Sequence, residues 1–264
     1  MTATANVNGT TIAYSEQGSG PPMILLHGGL GSGATWQPVA TRLADRFRVI
    51  TPDSRGHGRS RNPGGALSYS LLADDVAGLI TELELDHPVV AGWSDGGQIA
   101  LELAVRHPQA AAALVIGGAF HDFAGSGLRD IHRKLLAELQ APPAQAAHHD
   151  EEVEELKALH DDWPALLEQT AGMWLDYPGL PDAAIRNIVT PVLVLAGDRD
   201  QLVRLELSIS LFDLLPDAEL AVIAHAGHSD PLGEARAAAV AFAIGDFAAR
   251  RGSPHTPTTS RNDP

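Results

Sequence analysis

Pro88-Val-Val-Ala-Gly-Trp-Ser-Asp-Gly-Gly-Gln-Ile-Ala-Leu-Glu-Leu103 decides the fold. It opens on a continuous apolar run of the kind that suits a strand covered on both faces, and Ile99 and Leu103 then recur at helical spacing. Between the two, Gly92-Trp93-Ser94-Asp95-Gly96 fits the pattern G-x-S-x-G. In a chain with 26 glycines the bare pattern says little, but its position after a strand and before a helix says much more. The glycines two residues either side of Ser94 allow a tight strand-to-helix turn that presents the hydroxyl outward. The free N–H groups of the following helix face the same place and favour negative charge developing there. The competing reading of Ser94 is an ordinary turn serine.

Working outward, Thr10 to Tyr14 and Met23 to Leu26 read as short strands parted by the turn-rich Glu16-Gln-Gly-Ser-Gly-Pro-Pro22, which predicts an opening antiparallel pair. Phe47 to Thr51, Pro88 to Ala91, Ala113 to Ile116, Val192 to Ala196 and Glu219 to Ile223 follow as mostly apolar strands, and they predict a parallel sheet. Leu71 to Leu83, Gly97 to Arg106, Leu205 to Leu215 and Ala235 to Ala249 carry apolar residues at three- and four-residue spacing. Strand and helix therefore alternate, as in a doubly wound α/β fold. The rhythm breaks between Ile116 and Val192, where Leu128 to Leu139, Val153 to Leu159 and Ala165 to Leu175 read as helices, the third opened by Pro164. The expected organisation is an α/β core over 1–118 and 191–250, a small helical cap over 119–190, and a loose tail over 251–264, rich in Pro, Thr and Ser.

The 264 residues suffice for one large α/β domain with an insertion. Acidic residues outnumber basic ones 33 to 18, and a formal charge of −15 repels phosphate backbones and anionic lipid, which argues against nucleic-acid and membrane partners. With no cysteine the chain has neither disulfides nor a thiolate nucleophile. The first residues lack the basic start and apolar run of a secretory signal, and no apolar run reaches the ~20 residues of a membrane span, so a cytoplasmic protein is expected.

Other residues can complete a reaction centre. His27-Gly28-Gly29 follows a strand directly, and its glycines let a backbone N–H approach a carbonyl oxygen, so the N–H groups of Gly29 and Asp95 are candidate oxyanion donors, against a plain glycine-rich turn. The same loop contains a loose G-x-G-x-x-A from Gly29 to Ala34, with Asp53 about 20 residues on, the trace of a dinucleotide site; that reading leaves the serine turn unexplained. Gly197-Asp198-Arg199-Asp200 offers two carboxylates after a strand, either of which can serve as the acid, and His228 follows the last strand, giving the order Ser, Asp, His.

Together these motifs resemble the α/β-hydrolase superfamily from Thr10 to about Ala249: Leu26-His-Gly-Gly29, Pro52-Asp-Ser-Arg-Gly-His-Gly-Arg-Ser60, Gly92-Trp-Ser-Asp-Gly-Gly97, Gly197-Asp-Arg-Asp200 and Gly227-His228 stand in that family's order. The resemblance implies Ser94 as nucleophile, His228 as base, Asp200 rather than Asp198 as acid, a substrate pocket between cap and sheet, and no cofactor. It implies a hydrolase of small carboxylic esters or lactones, a monomer or small homo-oligomer. Thioesters and C–C bonds stay open as the bond cleaved, and the alternatives in kind are an acyltransferase or perhydrolase on the same triad, or a non-catalytic ligand-binding relative. Serine in the nucleophile position argues against epoxide hydrolases and haloalkane dehalogenases, which use a carboxylate there.

Arg55 and its neighbouring glycines are read as shaping a loop behind the site. Trp93 and His121 are candidate substrate-lining residues, equally readable as packing, and Trp163, Trp174 and Tyr177 read as core of the cap. His148-His149 beside three acidic residues lacks metal-ligand spacing, and no metal is expected. Finally, Gly92 to Gly97 is similar to the elbow of valacyclovirase-like amino-ester hydrolases, which implies that the Asp95 carboxylate attracts a substrate amine.

Overall fold

The structure, a computed structural model, describes residues 2–123, 127–140 and 151–252. Its frame is a sheet of eight strands in the order β1-β2-β4-β3-β5-β6-β7-β8: Thr2–Val7, Thr10–Gln17, Arg48–Pro52, Pro22–Leu26, Val89–Trp93, Ala113–Gly117, Val192–Gly197 and Ala218–Ile223. From β4 to β8 every pairing is parallel, whereas β2 is antiparallel to both β1 and β4. The doubly wound, mostly parallel α/β architecture is thus present.

Strand alternation divides the core in two. Ile24 and Leu26 of β3 join α2 (Tyr69–Glu82), α3 (Asp95–Arg106) and α8 (Leu205–Leu214) on one face; Met23 and Leu25 join α1 (Gln37–Leu43) and α9 (Glu234–Arg251) on the other. All four side chains are completely buried. At ~25 cal/mol per Å2, each such aliphatic side chain contributes about 2 kcal/mol.

The opening of the chain differs from the sequence reading. β2 and β3 are not paired; β4 lies between them, because the wholly apolar Met23–Leu26 belongs in the sheet interior with a parallel neighbour on either side. The antiparallel partners of β2 are instead β4 and, on its outer side, β1, in a small polar segment to which the sequence reading assigns no strand. Its turn is Asn8-Gly9, both at positive φ (45° and 74°), a dipeptide suited to a two-residue hairpin.

Between β6 and β7 the chain forms α4 (Leu128–Gln140), α5 (Glu151–Ala158), α6 (Trp163–Asp176) and the short, unanticipated α7 (Asp182–Arg186). Asp162 caps α6 through the Ala165 N–H, and Pro164 stands in its first turn, where a missing N–H is harmless. The two ends of the insertion are stitched by a bridge between Asp122 and Gly179. α9 runs to Arg251, one residue into the segment read as a tail, and Arg251 pairs with Asp217; 253–264 lie outside the described residues, as do His148 and His149. Among the described residues no helix is long and apolar enough to cross a membrane.

Candidate active site

β5 ends at Trp93 and α3 begins at Asp95, so the chain turns from strand to helix on Ser94 alone. Ser94 has φ 56° and ψ −119°, a sparsely populated conformation that costs about 1–3 kcal/mol and is held here by its N–H donating to Gly117 O (2.8 Å). Glycine is obligatory around it: a Cβ on Gly92 would meet the Gly96 carbonyl, and one on Gly96 would meet the Leu26 carbonyl.

The loops after β7 and β8 bring the other two groups in. His228 Nε2 lies 2.9 Å from Ser94 Oγ, and His228 Nδ1 lies 2.7 Å from Asp200 Oδ2. The second Asp200 oxygen accepts the N–H groups of Leu202 (2.9 Å) and Val203 (2.8 Å), which fix the carboxylate's orientation. Asp200 is buried and His228 partly so. Asp198, the other carboxylate of that turn, instead accepts the Ala226 N–H and holds the approach to His228. An imidazole so placed can take the serine proton, while the buried carboxylate keeps Nδ1 protonated and stabilises the imidazolium.

The loop His27-Gly28-Gly29 passes against the elbow. A Cβ on Gly28 would stand 3.2 Å from Ser94 Cβ, and one on Gly29 would run into Trp174 and the Asp95 carboxylate. His27 anchors this loop, with Nδ1 on Gly28 O (2.7 Å) and Nε2 accepting the Ser54 N–H (2.9 Å). The Asp95 N–H is the first of α3, a position without an intrahelical acceptor.

The Asp95 carboxylate lines the space beside Ser94 and is already engaged, so an amine there would share its oxygens with two aromatic donors. Tyr69 Oη donates to Oδ1 (2.7 Å) and Trp174 Nε1 to Oδ2 (2.8 Å), so both oxygens are held by aromatic side chains. Burial pushes this carboxyl above its ordinary pKa, against the pull of those two donors. Trp174 thus has a polar duty as well as the packing one expected of it.

A cavity of ≈ 40 Å3 opens beside Ser94 and His228, walled by Phe120, Phe123, Leu128 and Val203 with Gln98 and His132 among them. Trp93 and His121, the expected lining residues, are not part of it. Trp93 donates its indole N–H to His228 O (2.8 Å) and packs against Gly117 and Gly118, supporting the histidine loop. His121 faces Asp182 at 3.4 Å. Gln98 and His132 went unnoticed in the sequence; Gln98 lies one turn beyond the nucleophile, a spacing that flags it, whereas nothing local marks His132. A larger cavity of ≈ 350 Å3, between 56–62 and α6, has a mostly polar wall and shares no residue with the site, so the small cavity is the relevant one.

Among the described residues no cluster of His, Asp or Glu forms a metal-binding group. Asp53 of the G-x-G-x-x-A reading has Oδ1 on the Gly33 N–H and Oδ2 on Arg59, so its oxygens close the loop rather than face a ribose. Arg55, the loop-shaping residue, forms a buried two-point pair with Asp75, both contacts at 2.7 Å.

Comparison with known proteins identifies the fold and the family. The chain is 31% identical over 253 residues to a 2-hydroxymuconate semialdehyde hydrolase of Pseudomonas sp. (strain CF600), covering 89% of each. It is 28% identical over 244 residues to a 2-(acetamidomethylene)succinate hydrolase of Mesorhizobium japonicum, covering 83% of this chain and 85% of that one. A thermophilic esterase from Thermogutta terrifontis shares the fold, with a TM-score of 0.79 at 23% identity over 96% of this chain and 100% of that one. With residues 23–243 also matching the alpha/beta hydrolase family, the chain belongs to that family, and its relatives are hydrolases of small molecules.

Proposed function

We propose that the protein is a serine hydrolase that cleaves a small-molecule carboxylic ester or lactone through an acyl-enzyme. The observation that carries this reading is the unbroken relay from Ser94 Oγ through His228 to Asp200, at 2.9 and 2.7 Å, on a strained elbow. His228 Nε2 takes the hydroxyl proton as Oγ adds to the carbonyl carbon. The N–H groups of Gly29 and Asp95 hold the resulting oxyanion, and the His228 imidazolium returns the proton to the departing alcohol. Water, deprotonated by the same nitrogen, then releases the acid. No step draws on a metal or cofactor. The helices α4–α7 serve as the cap expected over 119–190, and their contact with the elbow through Trp174 supports that role.

The test is hydrolysis of p-nitrophenyl acetate and butyrate at pH 7 to 8 by the purified protein and by Ser94→Ala. A loss of at least about a thousandfold in kcat is expected. Equal activity in the two proteins would remove Ser94 as nucleophile.

A further inference from the structure

The cavity beside Ser94 holds two polar groups that the reaction does not use. Gln98 is buried, and its carboxamide nitrogen donates to Phe120 O at 2.5 Å. Because that carbonyl can only accept, the amide's orientation is fixed, and Oε1 is left as a buried acceptor with no hydrogen-bond partner. His132 of α4 stacks on Trp174, with ring centroids 4.5 Å apart and planes at 20°, and its Nδ1 is likewise buried without a partner. Buried polar atoms are rarely left unsatisfied, and a ligand is one way to satisfy them.

The wall sets the remaining terms. Phe120, Phe123, Leu128 and Val203 are apolar, and among the described residues the lining contains no Lys or Arg. Burial holds His132 neutral down to about 4, and the nearby His228 acts in the same direction. A carboxylate or phosphate would find no cation here and would meet Asp95 instead. At ≈ 40 Å3 the cavity takes roughly three water molecules, or an acyl chain of about four carbons. The part of the substrate that stays through both half-reactions is the acyl group, since the alcohol must leave and water must enter; a small cavity directly beside the nucleophile suits the part that stays.

Resting on the serine-hydrolase reading, we infer that the preferred acyl group is short, uncharged and hydroxylated, its hydroxyl donating to Gln98 Oε1 and meeting His132 Nδ1. A hydroxyl fits both atoms, because it can donate to the amide oxygen and either accept from or donate to a neutral imidazole. A keto or carboxylate oxygen cannot serve Oε1.

The experiment has two arms. Labelling with a fluorophosphonate probe, in the parent and in Ser94→Ala, tests the nucleophile independently of any acyl preference; no Ser94-dependent labelling removes the hydrolase reading and this inference with it. In a protein that labels, kcat/KM is measured by pH-stat for methyl 3-hydroxybutyrate, methyl butyrate, monomethyl succinate and methyl octanoate. The hydroxylated ester is expected to exceed butyrate by at least about tenfold, and the charged and long esters by more. In Gln98→Met the ratio of hydroxybutyrate to butyrate is expected to fall to about one, and a ratio taken on one preparation does not depend on its folded fraction. Equal rates on the two four-carbon esters, a preference that survives Gln98→Met, or labelling without turnover of any of these esters overturns the inference while leaving the nucleophile in place.

Discussion

The sheet edge and the inserted helices meet at Ser94, but they are held in place by different kinds of contact. On the sheet side, Ser94 and Asp200 are fixed by backbone: the Ser94 N–H on Gly117, two N–H groups on Asp200, and glycines packed where a Cβ cannot go, with Trp93 and Asp198 of the same sheet edge steadying the His228 loop. On the inserted side the ties are side chains reaching across: Trp174 to Asp95, Tyr177 to Glu102 (2.9 Å), and His160 to both the Gly58 N–H and Leu30 O (2.8 Å each). Backbone fixes geometry whatever the neighbouring residues, whereas side-chain ties can be exchanged one at a time. The Ser94 elbow and the inserted helices are thus held by different physical means.

The strongest challenge to this division is Asp200→Asn. It keeps an oxygen for Leu202 and Val203 but presents an N–H donor to Nδ1, which disfavours the required tautomer; kcat is expected to fall about 10^4-fold with little change in melting temperature. A loss under tenfold would mean that backbone placement of His228 suffices without the carboxylate. Gly96→Ala probes the glycine packing, and urea unfolding is expected to show about 3 kcal/mol of lost stability as Cβ is driven toward the Leu26 carbonyl. An unaffected midpoint would show the elbow to be more yielding than its contacts indicate.

The junction between the two regions resists protonation. His27, His57 and His160 follow one another at 5.1 and 6.0 Å between ring centroids, the first pair tilted and the second edge to face, and burial lowers the pKa of all three. For His57, burial and then the neighbouring His27 bring it from 6.5 to about 3. The unfolded chain takes up this proton near 6.5 and the folded one does not, so stability is complete above that pH and falls below it. At pH 5 the loss from His57 alone is about 2 kcal/mol. Urea midpoints at pH 7.5 and 5 should diverge less in His57→Gln, and an unchanged slope would clear His57 of the effect. The smallest effect is expected from Trp174→Phe, which removes one donor from Asp95 and keeps most of the packing: about 1.5 kcal/mol of stability, with KM rising more than kcat falls. A change confined to kcat would place Trp174 with the reaction chemistry instead.

The same division explains what the sequence disclosed. The parallel strands were legible because strands buried on both faces are apolar runs, and Gly92 to Gly96 announced its turn because only glycine fits there. β1 escaped notice because an edge strand needs no apolar run; Asn8-Gly9 was its one clear signal. Asp200 was distinguishable from Asp198 by family pattern, while the hydrogen bonds that separate their roles are long-range. Trp174 reaches Asp95 across 79 positions, and no spacing rule connects α4 to the elbow, so His132 and the aromatic hold on Asp95 emerged only from the fold.

The bridge between Asp122 and Gly179 has one more consequence. The chain leaves the frame and returns to it at paired positions, with α4, α5 and α6 as a closed excursion between them. Loop-closure entropy grows only with the logarithm of length, and doubling such an excursion costs about 0.6 kcal/mol. The sheet is therefore nearly indifferent to what is spliced in at this point, and a lineage can replace the entire excursion without re-solving the folding problem of the frame beneath it.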